Sequence, residues 1–216
     1  MLDLNQLGGA SMEALKTERI ELPRVGFGTF RMPRDGCPPV VESALELGYR
    51  HIDTAKMYQN EEAVGAAIAA SDLARKQLHL TTKVWHENLE PESLHRALDA
   101  SLGKLGVDFV NLYMVHWPSR DMDLGAVMET MQGFLQKGTV RSIGVCNLNV
   151  TMLRKAVEEI GAPIARHQIE YHRSSTSRKC WATCARKAFQ SSPMPHLDNA
   201  GPRATLYYKE SSSSMA

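Results

Sequence analysis

Short apolar runs and longer amphipathic stretches take turns along the chain between residues 25 and 172, repeating at intervals of about thirty residues. The runs VGFGT (25–29), HID (51–53), HLTTKVW (79–85), FVNLYMVH (109–116), VRSIGV (140–145) and ARHQIEY (165–171) read as strands. Between them, apolar positions recur every three or four residues in PVVESALELG, NEEAVGAAIAAS, PESLHRALDASLGKLG, LGAVMETMQGFLQKG and NVTMLRKAVEEIG, the spacing of helices. Strict alternation predicts an α/β fold with a parallel sheet, because parallel strands need crossover connections and the helices then cover the sheet. An open doubly wound sheet and a closed (β/α)8 barrel of the TIM type both satisfy it. The stretch VGFGTFRMPRDGCPP carries no GxGxxG between the first strand and the first helix, which argues against the open dinucleotide-binding sheet and for the barrel.

In a barrel of this kind chemistry sits at the C-terminal ends of the strands, and those ends are polar here: Asp53, Lys83, His116, Asn147 and Gln168. Each has an ordinary explanation. Asp53 can cap the segment that follows, His116 can be a satisfied core imidazole, Asn147 can be a turn residue and Gln168 can bridge backbone groups. Tyr58 alone reads as a half-buried aromatic. Lys83 is harder to explain that way, since a lysine at the inner end of an apolar strand is costly to desolvate without a nearby opposite charge. A single site at the barrel rim accounts for all of them at once.

Composition narrows the chemistry. The formal net charge of +1 over 216 residues gives no strong field, so neither nucleic acid nor a membrane is the expected partner. Four cysteines, Cys37, Cys146, Cys180 and Cys184, are too few and too irregular for a disulfide framework. The N-terminus lacks a basic start followed by an apolar run, and no stretch of eighteen apolar residues occurs, so a cytoplasmic protein is expected. No Cys/His set has the spacing of a zinc site; Cys180, Cys184 and His196 are a weak candidate for a metal, and none is expected.

Asp53 and Lys83 on neighbouring strands can neutralise each other, and a Tyr58 hydroxyl beside the ammonium would have its anion stabilised. At an effective dielectric of about 20 and a separation of about 4 Å the attraction is roughly 4 kcal/mol, about 3 pK units, enough to bring a phenol from about 10 towards neutrality. Tyr58 then becomes a usable general acid. A second rim carboxylate, which glycoside hydrolysis would need, is missing.

The ordered set GFGTF, GYRHIDTAKMYQNE, TTKVW, VNLYMVHWP, KGTVRSIGVCNLN and RHQIEYH resembles the strand-end motifs of the aldo-keto reductase family over about residues 20–172, most closely the bacterial branch related to 2,5-diketo-D-gluconate reductases. The resemblance implies an eight-stranded barrel that reduces aldehydes or ketones, such as diketo-sugar acids, with NADPH. It implies that Tyr58 donates the proton, that Lys83 paired with Asp53 lowers the tyrosine's pKa, and that His116 orients the carbonyl oxygen. Asn147 and Gln168 match positions that hold the nicotinamide carboxamide, Thr29 and Asp53 lie beside the cofactor, and Trp85 and Trp117 wall the pocket of a small carbonyl substrate together with His116.

Three departures stand out. Cys146 occupies a position usually held by Ser, and the thiol is a weaker hydrogen-bond partner. Gln59 replaces a usual Gly, which bears on the turn after Tyr58. From Arg173 onward there is no Val or Ile and only two Leu, Leu197 and Leu206, where a buried parallel strand is normally rich in all three. Seven basic residues face Asp198 and Glu210 there, so this Ser-rich stretch carries +5 and the remainder −4. Residues 1–172 thus read as an incomplete barrel of about six of eight strands, and 173–216 as a divergent basic tail, disordered and without the two missing strands. A shifted reading frame would produce so abrupt a change, and reading the underlying DNA in the other frames is the check. Unpaired barrel edges predict self-association. The alternative to a reductase is a non-catalytic barrel remnant that binds a partner or has no function; the ordered Asp53, Tyr58, Lys83, His116 set argues against an unrelated phosphate-binding barrel.

Overall fold

A computed structural model describes residues 14–170 together with the strand segments Gln190–Met194 and Arg203–Leu206. The chain opens with a small antiparallel hairpin, β1 (Ala14–Lys16) and β2 (Glu21–Pro23), which the apolar pattern did not reveal because each strand buries a single leucine, Leu15 or Leu22. Six parallel strands follow: β3 (Val25–Gly28), β4 (His51–Asp53), β5 (His79–Val84), β6 (Val110–Val115), β7 (Val140–Cys146) and β8 (Ile164–Glu170). They lie side by side in chain order and curl as an incomplete (β/α)8 barrel, in agreement with the sequence pattern.

The connecting helices are α1 (Cys37–Glu46), α2 (Glu61–Ala70), α3 (Pro91–Leu105), α4 (Leu124–Lys137) and α5 (Val150–Arg154), the last continuing as a π turn over Lys155–Glu159. Their ends follow the local chemistry. Pro91 opens α3, where its missing N–H would have been unpaired anyway, and Gly106 closes it at φ 65°. Asp123 caps α4 by accepting from Gly125 and Ala126 N–H at 2.9 and 3.2 Å, and Asn149 caps α5 through Met152 N–H at 2.9 Å.

Two apolar clusters lie on the two faces of the sheet. The larger fills the space between strands and helices, with Ile52, Leu80, Val84, Tyr113, Ile143 and Val145 among its strand members. The smaller is interior: Leu15, Ile20 and Leu22 of the hairpin pack against Leu112, Met114, Cys146 and Ala165. The same inner face carries polar rows, because paired residues on neighbouring parallel strands face the same side. Asp53 pairs with Thr81 and Thr81 with Leu112; Lys83 pairs with Met114, Met114 with Gly144, and Gly144 with Arg166.

Two segments after residue 172 lie along the edges of this six-stranded sheet. β9 (Gln190–Met194) pairs in parallel with β8, and β10 (Arg203–Leu206) pairs antiparallel with β3, so the sheet order runs β10-β3-β4-β5-β6-β7-β8-β9. An edge strand has a neighbour on one side only, so it does not need the Val, Ile and Leu content expected of a buried one, and Pro193 is tolerated there. Cys180, Cys184 and His196 lie outside the described residues. Among the described residues, no group of three His, Cys, Asp or Glu side chains is placed to hold a metal, and no helix is long and apolar enough to cross a membrane.

Candidate active site

Asp53 ends β4 and Lys83 lies one residue before the end of β5, on the neighbouring strand; the two form a buried ion pair. Lys83 Nζ also donates to the Thr54 carbonyl at 3.1 Å. Burial works against the ammonium, but Asp53, with Tyr58 and Cys146 behind it, holds Lys83 above its usual range. The ammonium is therefore held charged and fixed beside Asp53.

Tyr58 closes a single 3-10 turn, Lys56–Tyr58, and is half-buried. Lys83 Nζ lies 5.3 Å from the centre of its ring. The expected fall of the phenol pKa towards neutrality is not what this environment produces. Burial is the larger influence and raises it; the Lys83 charge and hydrogen bond pull it back, while Asp53 raises it again. The ion pair that was to acidify Tyr58 is nearly self-neutralised, so desolvation prevails and the phenol stays protonated at neutral pH. Gln59, next in sequence, sits in the left-handed region at φ 58°, ψ 22°, which explains why a glycine suits that position.

His116 follows β6, its ring edge-on to Tyr58 with centroids 5.6 Å apart and to Trp85 at 5.3 Å. Burial first, and Lys83 second, lower its pKa to about 3, so the imidazole is neutral and keeps one N–H; Nδ1 has no hydrogen-bond partner among the described residues. Trp85 is half-buried beside it, and Trp117 is 41% exposed. Phe30, which sequence reasoning missed, tilts over Tyr58 at 5.0 Å and is 49% exposed. Its only signal was its place beside Thr29 in GFGTF.

Asn147 follows β7 in the left-handed conformation, φ 60°, and its Nδ2 donates to the His116 carbonyl at 3.0 Å. Gln168 is buried on β8, its backbone carbonyl accepting from Asn147 N–H at 2.9 Å and its Oε1 accepting a long 3.6 Å contact from the Cys146 thiol. Among the described residues Asn147 Oδ1 and Gln168 Nε2 make no hydrogen bond, leaving one acceptor and one donor at adjoining strand ends. Thr29 is wholly buried, and its hydroxyl donates to Thr54 Oγ1 at 2.9 Å. The structure thus brings Asp53, Tyr58, Lys83, His116 and Trp85 together and sets Asn147 and Gln168 on the adjoining strand ends.

Comparison with known proteins points the same way. A family model described as the aldo/keto reductase family matches residues 24–199, reaching past residue 172 to include β9. Methylglyoxal reductase DkgB of Escherichia coli O157:H7 is 44% identical over 167 residues, covering 74% of this chain and 62% of that protein, so the chain spans less than two thirds of this relative's length. Among solved structures, an aldo/keto reductase from Brucella melitensis superposes with a TM-score of 0.80 at 34% identity, covering 85% of this chain and 73% of the other. A putative 2,5-diketo-D-gluconic acid reductase B gives 0.75 at 38% identity, with 78% and 60% covered. The Bombyx mori aldo-keto reductase solved in complex with NADP gives 0.80 at 30% identity, with 86% and 66% covered. From the ordered strand-end residues to the match over 24–199, the findings agree that this chain belongs to the aldo/keto reductase family.

Proposed function

We propose that this chain reduces the carbonyl group of a small aldehyde or ketone, of the methylglyoxal or diketo-sugar-acid kind, with NADPH as its cofactor. The observation that carries the reading is the protonated Tyr58 phenol placed between the buried Lys83–Asp53 pair and the neutral His116 imidazole. The cofactor, when bound, supplies the hydride to the carbonyl carbon. Tyr58 gives its proton to the oxygen on which negative charge develops. Lys83 stabilises the phenolate left behind, and Asp53 holds Lys83 in place. The remaining N–H of His116 aims at the same oxygen and fixes its direction. Asn147 Oδ1 and Gln168 Nε2 are the groups that would seat the carboxamide of the nicotinamide. Trp85, Trp117 and Phe30 offer flat apolar faces to an uncharged substrate.

Tryptophan fluorescence titrated with NADPH, followed by NADPH oxidation in the presence of methylglyoxal or a diketone, tests the proposal. Saturable quenching and turnover are expected, with turnover falling about 10²-fold or more in Tyr58→Phe while quenching persists. A folded chain that neither binds NADPH nor turns over either carbonyl would leave the non-catalytic barrel reading in its place.

A further inference from the structure

Two residues next to Tyr58 do more than continue the chain into α2. Asn60 is completely buried and uses both ends of its side chain. Its Nδ2 donates to the carbonyls of Thr29 at 2.8 Å and Met32 at 3.2 Å, and its Oδ1 accepts from the Thr54 hydroxyl at 3.1 Å, which in turn accepts from the Thr29 hydroxyl. These bonds span the turn that carries Phe30 and the segment after β4 whose Thr54 carbonyl receives Lys83 Nζ. Glu61, the first residue of α2, is 2% exposed, and its carboxylate accepts from the Thr82 hydroxyl on the outer side of β5 at 2.6 Å. Lys83 is the next residue after Thr82. The dipeptide Asn60-Glu61 is thereby tied to the ends of β3 and β4 and to β5.

The segment it follows needs such a tie. Gln59 holds a left-handed backbone that costs a residue with a side chain about 1–2 kcal/mol. Arg31, on the Phe30 turn, does the same at φ 62°. Strained conformations at a site persist where the surroundings over-determine them. Elsewhere on the Tyr58 turn, Lys56 Nζ donates to Asn88 Oδ1 at 2.5 Å, nearer the surface.

We infer that Asn60 and Glu61 are positioning residues that clamp the strained Tyr58 turn onto Thr29 and Thr54, just past the ends of β3 and β4, and onto Thr82 of β5, and so hold the phenol against Lys83. The inference rests on the reading of Tyr58 as the acid of the proposed reaction. Asn60 fixes the Phe30 and Tyr58 turns relative to each other, and Glu61 fixes the start of α2 to the strand that bears Lys83. Neither touches substrate or cofactor.

The full chain carrying Thr82→Val tests the clamp, with the Tyr58 titration read as the alkaline absorbance difference against the same protein carrying Tyr58→Phe. The groups acting on the phenol, Lys83, Asp53 and the Cys146 thiol, are untouched by the change, as is the His116 ring that faces it. In the parent the phenol ionises above the ordinary value of about 10. Release of the turn exposes it, so the Thr82→Val titration is expected to move down towards that value. NADPH-linked kcat should fall at least tenfold with the KM for NADPH unchanged. Thr82→Ser, which keeps the hydroxyl, should match the parent in both.

A folded Thr82→Val protein whose Tyr58 titrates as in the parent overturns the clamp. If that variant does not fold, Glu61→Met with Thr82→Val, which orphans no buried polar atom, replaces it under the same criterion. Failure of both to fold beside a folded Thr82→Ser overturns positioning in favour of a purely structural bond. A parent without reductase activity sinks the proposed function while the titration still decides the clamp; an active Thr82→Val enzyme with parental titration sinks the clamp alone.

Discussion

Gln59 shows most directly how a single side chain bears on the site. Its φ of 58° lies where a Cβ crowds the following carbonyl, at about 1–2 kcal/mol, whereas glycine adopts that backbone freely at an entropic cost of roughly 0.5–1 kcal/mol on folding. Gln59→Gly should therefore raise the unfolding free energy by about 0.5–1 kcal/mol, read as a higher denaturant midpoint at constant m value. The strain was foreshadowed in the sequence, because Gln59 stood out where a glycine is usual. The protonation of Tyr58 was not foreshadowed. The partner charge, Lys83, could be named from spacing, but the burial that outweighs it depends on Phe30, His116 and the depth of the turn, none of which the order of residues discloses. The neighbours of Thr29, Thr54 and Asn60, likewise come together only in the fold.

The strands were the most legible elements, since each carries a run of apolar residues that must be covered, from VGFG in β3 to IARHQIE in β8. The hairpin β1–β2 escaped because three residues with one buried side chain leave no period to detect. Neighbouring strands also line up a set of imidazoles. His51 of β4 pairs with His79 of β5, their rings edge-on at 4.8 Å, and His116 follows β6 at the other end. Burial is the first cause lowering all three, with like charges adding to it; His79 and His116 reach about 3 and His51 falls well below its usual value. Each stays neutral in the folded chain while its unfolded counterpart binds a proton below about 6.5. The unfolded state therefore holds more protons, and stability that is complete above about pH 6.5 drains away as the pH falls towards 3, by about 1.4 kcal/mol per pH unit for each histidine. Denaturant unfolding at pH 7 and pH 5 should show the loss, and His79→Gln should flatten its slope by about a third.

At the scale of the whole molecule the sheet has two ends, and the stretch after residue 172 supplies a strand to each. A chain cut after residue 172 should lose β9 and β10, exposing the backbone edges of β3 and β8. Sedimentation is expected to show it associating at concentrations where the full chain does not; equal behaviour would mean that β9 and β10 protect neither edge. Edge strands need little Val, Ile or Leu, and the partners of β9 and β10 include β3, far away in sequence. The linear order β10-β3-β4-β5-β6-β7-β8-β9 also sets a sequence of loss. Asp53 and Lys83 ride on β4 and β5, each flanked by strands on both sides, while Gln168 sits on β8, one strand from the margin. Backbone amides of the inner strands should be the last to exchange their hydrogens with solvent, and those of β8 should go early. The molecule would then fail in stages, the Gln168 side of the site loosening first while the Asp53–Lys83 pair, still locked in slowly exchanging strands, outlasts it.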